Sequence, residues 1–321
     1  MNGVPAHHDE GESALTILRE ALVREDTSLR QVGPILSHLL TVSDRALFND
    51  RVLATVRGMA SDLAGQVLAF EVGIRGQTAS KYVRQHEGQT TAMLLRHDAF
   101  VRFAHMLALE TQFLDRVERE AGLDPAMPPL TEALATASDS TLSEQARQLI
   151  AAQMRFLKQA RQMSLPMGEL PAELLHDILA LWRSSASERG IEITDRQMQD
   201  IIKPFDEAKS RLSLLDRMLF ELNGASNTPV KLGQGGGSLF LSDVANRTGS
   251  SRADVALATT EDQYARLVLL LKAGGYPRAA IEEQLLVIHP GLKVSRDLIE
   301  IAVHEAQLLL RSSGFAHGAA S

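Results

Sequence analysis

At 321 residues, with 45% hydrophobic and 23% charged side chains, the chain has the composition of a folded globular protein with a sizeable core. A net charge of −7 argues against a surface devoted to nucleic acid or anionic lipid, while leaving room for a local basic patch. The lack of cysteine excludes disulfides, zinc–thiolate sites, iron–sulfur clusters and cysteine nucleophiles, and it fits a reducing cytoplasm.

Residues 1–12 lack both a basic n-region and an apolar h-region, so they read as a flexible tail and not as a signal peptide. The cluster His7-His8-Asp9-Glu10 is read as part of that polar tail. Ser13 is placed to cap a helix through Glu25, with Leu15, Leu18, Leu22 and Val23 on one face. Gly33-Pro34 interrupts Leu29–Leu40 and restarts a helical piece. Ser43-Asp44 should cap a long helix to Val72 with the stripe Leu47, Val52, Val56, Met59, Leu63, Val67 and Phe70. Gly58 and Gly65, seven apart on that helix, suggest the close approach of a neighbour. Residues 73–89 read as a broken connection around Tyr82.

Asp98 is expected to cap a helix that Gly122 ends, with Phe100, Phe103, Ala104, Leu107, Leu114, Val117 and Ala121 facing inward. A short helix over 129–137 follows. Two capping boxes, Thr141-x-x-Glu144 and Thr194-x-x-Gln197, open later helices, and Pro171 starts the one over 172–187. Pro204 should split the chain before a helix over 206–222. In residues 233–238 four of six are glycine, and the helical period stops. That stretch reads as a flexible connector. It lacks a preceding strand and a following Gly-Lys-Ser/Thr, so a phosphate loop is poorly matched. Beyond it the helices are shorter: 239–247, 251–258, 261–272, 277–288 and 295–311.

No segment alternates with period two, and no apolar run is long enough for a membrane span. The fold expected is all-α: an irregular antiparallel helix array over 13–223, a Gly-rich linker at 224–238, a compact helical unit at 239–312 and a tail at 313–321.

Chemistry-bearing patterns are sparse. Glu173-x-x-His176 has the spacing of half a helical di-iron site, but a second copy is missing; Glu300-x-x-x-His304 is spaced differently. His97 and His105 stand two turns apart, too far to share a metal directly. No Gly-x-Ser-x-Gly or His-Glu-x-x-His occurs. No catalytic residue, cofactor or metal is therefore expected.

The sharpest local signal is Leu241–Thr259. Ala245, Gly249 and Val255 match the small, turn-glycine and apolar positions of a helix-turn-helix. Read as a DNA module, its second helix would offer Ser251 and Arg252. From residue 239 onward, however, eight Lys/Arg stand against nine Asp/Glu. A DNA reader usually carries a basic footprint, which favours an ordinary helical corner.

Three segments carry a family resemblance. They are Asp44–Ala64; Arg147–Arg155 with Glu169–His176; and Ala245-x3-Gly249-x5-Val255 followed by Ala265–Gly275. Together they resemble an all-helical alphaproteobacterial family catalogued only as a domain of unknown function. The resemblance carries no assigned activity or catalytic residue. Some of its members have HEAT-like repeats, which implies a scaffold. The reading at this level is a cytoplasmic, non-enzymatic interaction or regulatory protein that binds another protein through a helical face or groove. The alternative is a DNA-binding regulator that uses the corner.

Overall fold

The computed structural model describes residues 16, 19–23, 50–75, 79–260, 263–291 and 299–312. The expectations for both tails, for His7–Glu10, for Leu29–Leu40 and for the Ser43-Asp44 cap lie outside them. Among the described residues the protein is all-helical, with no strand. The helices are α1 (Asp50–Arg75), α2 (Ala79–Leu94), α3 (Asp98–Ala121), α4 (Pro129–Ala135), α5 (Ser140–Arg161), α6 (Ala172–Glu188), α7 (Asp195–Ile202), α8 (Arg211–Ala225), α9 (Leu232–Thr248), α10 (Arg252–Ala258), α11 (Tyr264–Ala273), α12 (Arg278–Ile288) and α13 (Val303–Ser312). No described helix is long and apolar enough to cross a membrane.

The chain divides into two compact units; one cut falls at 221/222, beside the expected linker, and the glycines lie inside the unit that follows it. A central unit holds residues 33–112 and 131–221. A C-terminal unit holds 1–32, 113–130 and 222–321. Residues 98–112 of α3 belong to the first, and residues 113–121 to the second.

In the central unit, α1 packs on α2, and α6 touches both. Spacings of three and four residues bring Val52, Val56, Met59, Leu63 and Val67 to one side of α1, where all are buried. Each such side chain contributes about 1.5–3 kcal/mol of transfer free energy. Phe70, expected in that stripe, is exposed on one side and meets Trp182 at 6.5 Å between ring centroids. The buried series Leu63, Val67 continues instead at Glu71. Tyr82 lies within the regular helix α2, not in a broken connection, because its buried ring and hydroxyl anchor that helix. Gly58 does serve a close approach, but to a loop: a Cβ there would lie 2.5 Å from the Cβ of Met163, just past α5. Gly65 faces open space.

Helix ends follow short-range polar chemistry, with two corrections. The box at Thr194 and Gln197 forms as expected. The cap of α5 is Asp139, whose carboxylate accepts from the N–H groups of Thr141 and Leu142 and so displaces the expected box at Thr141 and Glu144. At α3 the cap is His97: its Nδ1 accepts from the Phe100 N–H at 3.3 Å, with Asp98 already inside the helix. Pro204 separates α7 from α8, as expected.

In the C-terminal unit, α9, α10 and α11 pack mutually, and α11 also contacts α12 and α13. Residues 19–23 are helical there, with Leu22 buried but Val23 turned to solvent. The apolar run Leu267–Leu271 is wholly buried, which makes α11 the centre of this unit.

Candidate functional site

From Gly235 onward the glycine-rich stretch is buried, while Gly233 and Gln234 at its start are exposed. Residues 232–248 form α9, and Gly235, Gly236, Gly237 and Ser238 are all buried. Gly236 sits at φ 70°, ψ 172°, a conformation open to glycine that kinks the helix. At Gly237 a Cβ would lie 2.5 Å from Leu114 Cδ2 and 3.0 Å from Phe113 Cε1. The missing side chains let the backbone of α9 press against the end of α3. Phe113 and Phe240 then pair at 6.5 Å between centroids. Glycines that look like loose chain in composition are close-packing residues here.

This kink fixes the corner that follows. Gly249 ends α9 at φ 65°, ψ 19°, and its N–H and that of Ser250 both reach Ala245 O. Ser251 caps α10, its Oγ accepting from the Asp254 N–H at 3.1 Å. Val255 is fully buried and Ala245 nearly so, which matches the structural half of the helix-turn-helix pattern.

The donors nominated for DNA point elsewhere. Arg252 turns back onto α9, where Nη1 donates to Ser238 O at 3.0 Å and to Ser242 Oγ. Arg247 is held more firmly. Its Nε donates to both Asp243 oxygens at 2.9 Å, Nη2 reaches Asn223 Oδ1 at 3.1 Å, and Nη1 reaches Asn227 Oδ1 at 3.3 Å. Asp243 has no exposure, and it also accepts from the Val230 N–H at 2.8 Å. The Tyr276 hydroxyl lies 2.8 Å from Val230 O and 3.1 Å from Asp243 Oδ2. Burial, and then the neighbouring Asp243 charge, push the Tyr276 hydroxyl pKa well up, so it stays protonated. Burial likewise raises the Asp254 carboxyl. The corner is thus a closed polar anchor.

Among the described residues two further carboxylates are fully buried, both in the central unit. Glu71 accepts from the Tyr82 hydroxyl and from Trp182 Nε1, each at 2.6 Å, and pairs with Arg189. Burial, followed by its bond to Glu71, raises the Tyr82 pKa. Glu110 takes Arg211 in a two-pronged pair at 2.7 and 2.8 Å. Gln153 Oε1 accepts from the same guanidinium at 3.3 Å, and the ring of Phe156 lies 3.7 Å beneath it. Sequence reading singled out none of these acids. Their signal is positional: Glu71 continues the series Leu63, Val67 by four, and Glu110 interrupts Leu107 and Leu114 on an apolar face.

A cavity of about 10 Å³ adjoins Arg211, lined by Phe103, Leu107, Phe156 and Glu169 among others. It has room for about one water molecule. Organic ligands occupy clefts of hundreds of cubic ångströms.

Glu173 and His176 are exposed on the outer side of α6, opposite buried Leu174, Leu175, Ile178 and Trp182, and no metal-binding group of three such residues forms among the described residues. His97 lies 3.9 Å from Asp177, while burial lowers the pKa of His105 to about 4. His289 is buried at the end of α12, its Nε2 without a hydrogen-bond partner. Burial first, then the Arg116 charge, lowers its pKa to about 4.

In contrast with these inward-turned groups, several large apolar side chains face water: Met154 at 59% exposure, Leu308 at 61%, Leu286 at 68% and Phe220 at 78%. No family model, curated protein or solved structure matches the chain.

Proposed function

We propose that the protein is a non-enzymatic, cytoplasmic interaction module that binds another protein through a helical face. The observation that carries this reading is the division of labour between inside and outside. The buried carboxylates Glu71, Glu110 and Asp243 are each spent on internal arginines, hydroxyls and N–H groups. Large apolar groups remain on the surface instead. Exposed apolar side chains on helices supply what a protein partner can bury. The resemblance to an all-helical family with HEAT-like members points the same way by analogy.

DNA reading by the corner is the weaker alternative. Arg247 and Arg252 would have to leave internal acceptors before touching a phosphate. The test is affinity capture with the purified protein in an extract of its source cells, alongside titration with random duplex DNA at low salt. The reading expects a protein recovered in near-stoichiometric amount and no salt-sensitive DNA binding. Tight DNA binding that Arg252→Ala weakens would overturn it.

A further inference from the structure

Helix α5 carries a surface of a kind not seen in the corner. Its buried side consists of Ala146, Leu149, Ala152, Gln153, Phe156 and Ala160. On the opposite side Arg147, Arg155, Lys158 and Arg161 are all exposed. Their separations of eight, three and three residues keep them on one face of a 3.6-residue helix, over about 21 Å of axis. Met154, at 59% exposure, sits among them.

The acid balance of this face is distinctive. Residues 145–168 contain no Asp or Glu, in a chain of net charge −7. Glu144, at the start of the helix, is engaged by Arg147 at 3.4 Å and by Gln148 at 3.0 Å. Arg155, Lys158 and Arg161 have no ion-pair partner among the described residues. Lys158 and Arg161 fall in the last turn and so complement the helix dipole. Arg155 lies three residues before Lys158, just under a turn further in and outside that last turn.

We propose that the outer face of α5 is a docking surface for an acidic, amphipathic segment of a protein partner, which sets its carboxylates against Arg155, Lys158 and Arg161 and an apolar side chain against Met154. This rests on the interaction reading above and names the chemistry of the partner. Charge decides against a second copy seated symmetrically on the same face, because cation would oppose cation. It also disfavours a long polyanion, since the rest of the chain is still more acidic than the whole. The single aromatic of α5, Phe156, is buried, so the outer face of α5 offers no ring for base stacking. A thioether in the centre contributes nothing to a phosphate backbone, but it is an adaptable apolar contact for a peptide.

The test uses the full chain and a fluorescein-labelled sixteen-residue helical peptide of Glu and Ala with one central Leu. Anisotropy titrations at low salt should show binding that weakens as salt rises. The double variant Arg155→Glu/Lys158→Glu should lose at least tenfold in affinity. Met154→Ser should lose about threefold at every salt concentration. Arg102→Glu, a charge reversal on exposed α3 surface, should change nothing. Circular dichroism checks that each variant is folded. Absence of peptide binding, an equal loss with Arg102→Glu, or tighter α5-dependent binding of duplex DNA would each overturn the proposal. A captured cellular partner that survives the α5 reversal would sink the α5 assignment and leave the interaction reading standing. Failure to capture any protein would strike that broader reading instead.

Discussion

The corner formed by α9 and α10 and the outer face of α5 both present arginines on a short helical run, yet they use them in opposite ways. At the corner, Arg247 finds Asp243 four residues back, and Arg252 finds Ser238 O and Ser242. On α5, Arg155, Lys158 and Arg161 have acid-free sequence on both sides. The difference teaches that the availability of a cation depends on which acceptors the fold brings within reach. Local basicity alone would rank the two regions by motif, and the motif belongs to the corner.

The largest expected effect that sharpens this comparison is at Asp243. Asp243→Ala strips the carboxylate from Arg247, the Val230 N–H and Tyr276 together. Breaking a buried pair this way costs about 3–5 kcal/mol. Urea unfolding checks it, and a loss below 1 kcal/mol would mean that the corner is not anchored as described.

Next comes Gly237→Ala, which forces a methyl group into Leu114 and Phe113. Overpacking of this kind costs about 1–3 kcal/mol. An exposed connector would instead tolerate the change or gain slightly from reduced chain entropy. Thermal unfolding separates the two outcomes.

A pH scan gives a third measure. His289 is held near pKa 4 against an ordinary 6.5, and His105 likewise. Between those values the unfolded chain binds protons that the folded chain refuses. The two histidines therefore make stability rise with pH from about 4 to 6.5, each contributing up to about 3 kcal/mol, while the raised Asp254 carboxyl opposes part of that rise. His289→Gln should flatten part of that slope in urea titrations at several pH values.

The smallest effect belongs to α5. Arg155→Ala and Lys158→Ala should each shift stability by no more than about 0.5 kcal/mol, because neither side chain has a partner to lose among the described residues. Arg252→Ala should cost more than either, which is the comparison in its simplest form.

The fold class was legible because helical periodicity and end signals are local: the Thr194 and Gln197 box, Gly122 and Gly249 all act where the sequence places them. The glycine stretch misleads because mobile chain and a close-packed kink share one composition. What distinguishes them is Leu114, Phe113 and Pro128, more than a hundred residues earlier. Arg252, placed outward by spacing, bonds acceptors ten and fourteen residues back, a distance set by the corner itself. The α5 stripe can be read from spacing, but the lack of partners for its cations emerges only once the neighbouring helices are in place.

Arginine-directed footprinting tests the account most directly. The protein is treated with phenylglyoxal, alone and with the acidic peptide, and modification at each arginine is followed by mass spectrometry. Arg155 and Arg161 should react quickly and become protected when the peptide is bound, while Arg247 and Arg252 stay slow in both conditions. Rapid modification of Arg247 and Arg252, with α5 unreactive or unprotected by peptide, would contradict it.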